Sequence, residues 1–160
     1  MEPIYEKFVN SLMEAEKLWS GADHLVCITY PVVKDSKLLI RALENVDKSL
    51  VLAISTILKF EYMYKRINLS ENTKENLENF FSKCSVNYGL GAEENKGIKE
   101  IMLIAKKHKE SGFEFSRSGK AMIMDDELGV YELTQEKAKE YLKLVRKVLD
   151  GTKIKFKEGF

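Results

Sequence analysis

The chain has 160 residues, 44% of them hydrophobic, with 26 Lys and Arg against 25 Asp and Glu. This length and apolar content predict one domain, residues 1–160, with a substantial core, and a net charge of +1 excludes a strong overall attraction to nucleic acid or to an anionic membrane. Two cysteines are too few for a disulfide framework, and charged residues interrupt the first apolar positions, so we expect no signal peptide and a cytoplasmic location.

The N-terminal fifth of the chain predicts one helix followed by an ambiguous segment. Apolar residues recur at helical spacing as far as Trp19, and Ser20 and Gly21 are expected to end or bend that helix. Residues 22–33 fit either a helix or an extended segment, because β-branched residues are frequent there while Asp23 could cap a short helix. We favour the helix.

Residues 34–66 carry apolar residues at alternating four- and three-residue steps, the spacing of one long central helix. This stripe consists of Leu39, Leu43, Val46, Leu50, Ala53, Ile57, Phe60 and Tyr64. Asp35 or Ser36 is expected to cap the helix. Around residues 50–58 the helix is apolar nearly all round, which predicts enclosure on several sides. Other helices or a second copy of the chain must cover so long a seam, and we expect a homodimer.

Two shorter helices are predicted in the middle of the chain. Asn72, followed three residues later by Glu75, is typical of a helix start. Gly89 and Gly91 are expected to end that helix. The next helix is predicted over residues 92–110, with basic residues in its last turns, where the helix dipole favours them.

Residues 113–133 change to a period of two, which predicts a small β-hairpin or meander. Its turns are expected at Ser118-Gly119 and at residues 125–129. The predicted fold is therefore mainly α: a bundle of about five helices with one long central helix and a small β element.

The last helix is predicted to begin after Thr134 and to end at Gly151, because threonine is a frequent N-terminal cap and glycine a frequent C-terminal one. Residues 152–160, which are rich in lysine, are expected to form a short edge strand or a loose end.

Only two histidines are present, which limits acid–base and metal chemistry. A tetrahedral zinc site would need His24, Cys27, Cys84 and His108 to meet. These residues come from distant elements, however, and both cysteines lie among apolar neighbours, where a thiol packs as a small hydrophobic group. We therefore predict no metal, no cofactor and no catalytic residue.

The C-terminal part is the more basic one, since residues 96–160 hold fifteen basic and eleven acidic side chains. A partner that recognises positive charge is expected to contact this part. The candidate contacts to nucleic acid or to another partner are Lys106, Lys107, Lys109, Lys139, Lys143, Arg146 and Lys147.

Two runs carry a resemblance to known proteins. Residues 30–44, YPVVKDSKLLIRALE, and residues 114–117, EFSR, with the hairpin that follows, resemble an uncharacterised group of archaeal helical proteins. More distantly, the RALE segment inside a long helix is similar to HEPN domains, helical bundles that dimerise and often act on RNA or pair with nucleotidyltransferases. Active HEPN proteins carry an Arg followed four to six residues later by His, and no arginine of this chain is followed in that way. The resemblance thus implies a shared scaffold without ribonuclease activity.

These observations predict a non-enzymatic interaction or scaffold protein built on a dimeric helical bundle. The alternative is a protein that binds RNA or another nucleic acid through its basic C-terminal half. No membrane partner is expected, because the longest nearly apolar run, residues 50–58, is far shorter than the roughly 20 residues that a membrane span needs.

Overall fold

The structure is a computed structural model that describes residues 2–159. These residues form five continuous helical units and one three-stranded antiparallel sheet, so the predicted fold class is confirmed. The helical elements are α1 (Glu2–His24), a π-helical turn (Leu25–Thr29), α2 (Tyr30–Val33), α3 (Lys37–Met63), α4 (Thr73–Asn79), a second π-helical turn (Phe80–Cys84), a 3₁₀ turn (Ser85–Tyr88), α5 (Ala92–Glu110) and α6 (Gln135–Gly159). The strands are β1 (Phe113–Arg117), β2 (Lys120–Met124) and β3 (Val130–Leu133).

Helix α3 lies at the centre of the fold, where α1, α5, α6 and β2 pack against it. Seven of the eight stripe residues are buried within the single chain, and the eighth, Tyr64, is partly buried and donates a hydrogen bond to the carbonyl oxygen of Gly159 at 2.6 Å. The seam of the long helix is therefore covered by elements of the same chain. Covering this seam does not require a second copy of the chain.

Several local signals are confirmed. The side chain of Asn72 accepts hydrogen bonds from the backbone N–H groups of Lys74 and Glu75 at 2.9 and 3.3 Å and so caps α4. Gly89 ends the same helical unit with a left-handed φ of 77°. Thr134 caps α6 through its hydroxyl, which accepts from the N–H of Lys137 at 3.1 Å.

The first helix does not end or bend at Ser20 and Gly21, so that prediction is wrong. It continues because α1 packs along α3, and because the indole N–H of Trp19 donates to the carbonyl oxygen of Leu142 in α6 at 2.7 Å. Residues 22–33 are helical, as favoured, with Val26 fully buried. Packing against the core outweighs the β preference of the branched residues there.

The last helix does not end at Gly151, and the prediction of an edge strand or loose end after it is wrong for the described residues 152–159, which are helical. Phe156 is buried and stacks against Phe60 with 4.3 Å between ring centroids, so this last stretch belongs to the core. Gly151 faces the backbone of Tyr88, where a side-chain carbon would overlap the carbonyl oxygen. The glycine permits a close approach between two segments.

The sheet is a meander in the order β1-β2-β3. Ser118 and Gly119, both with positive φ, form the predicted tight turn between β1 and β2. One face of the sheet is buried against the helices through Ala121, Ile123 and Leu133. No helix within residues 2–159 is long and apolar enough to cross a membrane.

The two helical glycines give opposite predictions for substitution by alanine. Gly151→Ala should destabilise the protein, because the new methyl group would overlap the backbone of Tyr88. Gly21→Ala should raise the free energy of unfolding by about 0.5–1 kcal/mol, since alanine is the better helix former and the nearest atom, Nδ2 of Asn45, would lie 3.6 Å away. Urea denaturation of both variants measures the two changes. A stabilising Gly151→Ala would contradict the packing of α6 against Tyr88.

Candidate functional site

The four residues considered for a zinc site do not come together. The ring Nδ1 of His24 lies 3.3 Å from the hydroxyl of Thr29, and Cys27 is exposed with its thiol 3.5 Å from Asp23. Cys84 is buried, which raises the pKa of its thiol to about 11. Within the described residues no group of three or more His, Cys, Asp or Glu side chains is arranged to hold a metal ion.

The seven predicted basic contacts divide into two groups. Four form salt bridges with acidic neighbours, which reduces the charge available to a phosphate: Lys107 with Asp125, Lys109 with Asp47, Arg146 with Glu16 and Asp150, and Lys147 with Glu94. The other three, Lys106, Lys139 and Lys143, are exposed and form no salt bridge in the part of the chain that the structure describes.

A cleft of about 700 Å³ lies between the start of α3, the end of α5 and the first two strands. We call it the α3–β1 cleft. Its charged and polar lining is formed by Lys34, Asp35, Ser36, Lys37, Arg41, Glu44, His108, Glu114 and Ser116, and its apolar lining by Ile40, Phe115, Ala121 and Met122. The two runs that carry the resemblance, residues 30–44 and 114–117, thus both contribute to this cleft.

His108 is held between two carboxylates at one wall of the cleft. Its Nδ1 lies 2.5 Å from Oε2 of Glu114 on β1, and its Nε2 lies 2.9 Å from Oε1 of Glu44 on α3. Burial lowers the pKa of His108, but the hydrogen bonds and negative charges of Glu114 and Glu44 outweigh burial and raise the pKa above its ordinary value. Both ring nitrogens face carboxylate oxygens, and we propose that His108 is an imidazolium, the form that donates from both nitrogens and so ties α5 to α3 and β1.

Arg41 lines the same cleft as His108, although the two residues come from different helices. The sequence motif considered above requires an arginine and a histidine close together in the chain, so it could not indicate that Arg41 and His108 line one cleft. The imidazolium has no free nitrogen lone pair, so in this state it can serve as a charge or as an acid but not as a base.

The outer face of the sheet is a second surface with unusual composition. Its register aligns Phe113, Met124 and Val130 in one cross-strand row and Phe115, Met122 and Glu132 in the next. Phe113 is 57% exposed, and its ring centroid lies 5.4 Å from that of Phe115. We call these two rows the outer sheet face.

The two ends of the outer sheet face carry opposite charges. At the hairpin end, Arg117 pairs in register with Lys120, which also forms a salt bridge with Glu132 at 3.1 Å, so Arg117 provides most of the available positive charge. At the other end, the turn between β2 and β3 contains the exposed acids Asp126 and Glu127. The same turn contains Leu128, which is 76% exposed and has a positive φ of 66°.

Comparisons with protein-family models, with curated proteins and with solved structures gave no match to this chain. The similarity to archaeal helical proteins and to HEPN domains therefore rests on the two sequence runs alone and stays a prediction.

The contacts of His108 predict how stability changes with pH. Since Glu114 and Glu44 raise the pKa of His108 in the folded state, its stabilising contribution is present in full below the ordinary pKa of 6.5 and is lost as the pH rises through the higher folded value. We expect the free energy of unfolding to fall as the pH rises above 6.5, and to fall less in the His108→Gln variant.

Urea denaturation at a series of pH values measures this difference. The exposed His24 provides the matched control, because His24→Gln should retain the pH dependence of the wild type. Equal pH dependence in the wild type and His108→Gln would contradict the proposed imidazolium.

Proposed function

We propose that the protein is a non-enzymatic interaction protein that forms a homodimer through the outer sheet face. The observation that carries this proposal is that five of the six residues in the two central rows are apolar, with Glu132 as the exception, and that the two ends of the face carry opposite charges. A surface that binds its own copy about a two-fold axis must be complementary to itself.

The apolar part of the face is exposed in the row nearest the acidic turn, whereas Met122 in the other row is buried. Phe113 and Val130, in the row nearest the acidic turn, are 57% and 48% exposed. Contiguous exposed apolar groups on a soluble protein mark interaction sites more often than scattered ones do. Burial of these side chains against a second copy would contribute the favourable free energy of association.

The exposed and strained Leu128 is further evidence that this end of the sheet contacts a partner. A left-handed backbone costs a leucine about 1–2 kcal/mol, whereas glycine adopts it without strain. The carboxylate of Asp125 holds the turn by accepting hydrogen bonds from the N–H groups of Glu127 and Gly129 at 3.0 and 2.7 Å. A strained and exposed leucine beside the apolar rows is consistent with a contact to a partner.

Charge sets the orientation of the proposed dimer. A two-fold axis between the two apolar rows places each row on the other row of the second copy. The same axis brings the turn with Asp126 and Glu127 of one copy to the Arg117 and Lys120 end of the other. Opposite charges at the rim favour this register over alternatives.

The same charges make a polyanion the weaker candidate for this face, since Asp126 and Glu127 would repel phosphates. The nucleic-acid alternative draws on Lys106, Lys139 and Lys143, which form no salt bridge in residues 2–159. A cytoplasmic location is also part of the proposal, and the exposed free thiol of Cys27 supports it, because free thiols are typical of a reducing compartment.

We expect reversible dimerisation with micromolar affinity, because three strands of four or five residues offer a small interface and interfaces below about 1,200 Å² are typical of weak complexes. Sedimentation equilibrium over a wide dilution range measures it. Phe113→Glu should produce a monomer, because it would bury an unpaired charge in the interface.

Val86→Glu is the matched control, since Val86 is equally apolar and 76% exposed but lies on the 3₁₀ turn away from the sheet. It should dimerise like the wild type. A wild-type protein that stays monomeric at tens of micromolar, or a dimer that Phe113→Glu leaves intact, would refute the proposal.

A further inference from the structure

We infer that the α3–β1 cleft is a binding site for a small phosphate-bearing organic molecule of the nucleotide class. This inference does not rest on the proposed dimer. Phe115 and Met122 contribute to both surfaces, so neither experiment substitutes them.

Three cationic side chains line the cleft without a salt bridge in the described residues. Lys34, Lys37 and Arg41 are exposed, and none of them forms a salt bridge within residues 2–159. Lys37 and Arg41 lie four residues apart in the first turns of α3 and so share one side of that helix, and Lys34, at the end of α2, lines the same cleft. Three positive charges therefore line one cleft, and within the described residues none of them forms a salt bridge with the carboxylates that line it too.

The acidic groups of the cleft, in contrast, already have partners. Asp35 accepts a hydrogen bond from the backbone N–H of Lys37 at 2.9 Å. Glu114 pairs with Nδ1 of His108 and Glu44 pairs with its Nε2. With His108 protonated, the cleft holds four positive groups against three carboxylates, and the positive groups that form no salt bridge in residues 2–159 are Lys34, Lys37 and Arg41.

Lys34 also has an unusual backbone conformation at the rim of the cleft. This residue ends α2 in the left-handed conformation, with a φ of 56°, and its N–H donates to the carbonyl oxygen of Tyr30 at 2.7 Å. Helices that end in this way most often use glycine. A lysine in this strained position keeps a cationic side chain at the rim of the cleft, and strain of this kind is frequent at functional sites.

The shape and the uncharged lining indicate the class of ligand. A volume of about 700 Å³ falls in the range of about 300–1,000 Å³ that is typical of small-molecule sites. Ile40, Met122 and the half-buried ring of Phe115 form an apolar wall, suited to a planar organic group. Ser36, which lies at the start of α3 and makes no capping hydrogen bond, adds a hydroxyl donor beside the cations. A ligand with a planar apolar group and a phosphate would place the first against this apolar wall and the second beside Lys34, Lys37 and Arg41.

Isothermal titration of the purified chain with ADP tests this inference. The wild type should bind ADP, and Arg41→Gln should weaken binding about tenfold or more, as expected for the loss of a hydrogen bond to a charged group. Lys34→Gly should also weaken binding, while its thermal midpoint should rise because glycine relieves the backbone strain. Lys59→Gln, on the same helix but outside the cleft, should bind like the wild type.

Three comparison ligands separate the contributions. Inorganic phosphate should compete with ADP, and adenosine should bind more weakly than ADP. The inference is overturned by a wild type that does not bind ADP at millimolar concentration, by cleft variants that bind as tightly as the wild type, or by adenosine binding as tightly as ADP. Binding of a single-stranded oligonucleotide in the absence of ADP binding would also overturn it in favour of a nucleic-acid surface.

Discussion

Burial of α3 is the constraint on which the rest of the structure depends. Leu39, Leu50 and Ile57 are fully buried along its length, and α1, α5, α6 and β2 each cover part of it. Polar groups on this helix are also satisfied internally, as when the hydroxyl of Ser49 donates to the carbonyl oxygen of Ala15 at 2.6 Å. A helix enclosed in this way sets the position of each neighbouring element. The cleft lies beside its first turns, and the sheet packs Ala121, Ile123 and Leu133 against the helices.

The elements that could be predicted from sequence are those whose signals are local. The helix at residues 92–110 has the predicted bounds, and the cap at Asn72 and the turn at Ser118-Gly119 depend on neighbouring residues alone. The predictions that helices end at Gly21 and Gly151 were wrong for a physical reason. A glycine that ends a helix and a glycine that lets two segments approach look identical in sequence, and only the carbonyl of Tyr88 beside Gly151 distinguishes them.

The candidate site was harder to predict because its contacts are long-range. His108 meets Glu44 and Glu114 from three separate elements, and no spacing in the chain links them. Salt-bridge partners are equally hidden, so a lysine such as Lys147, bound to Glu94 at 2.6 Å, looks as free in the sequence as Lys143 does. The sequence did single out two runs, residues 30–44 and 114–117, and the fold brings both of them to one cleft.

The enclosure of α3 within one chain is tested most directly by comparing two of its apolar residues in denaturant melts. Ile54 is 4% exposed and Val51 is 46% exposed. Ile54→Ala should lower the free energy of unfolding by about 2–5 kcal/mol, whereas Val51→Ala should change it by less than about 1 kcal/mol. A loss below about 1 kcal/mol for Ile54→Ala would place that residue at the surface and contradict the central position of α3.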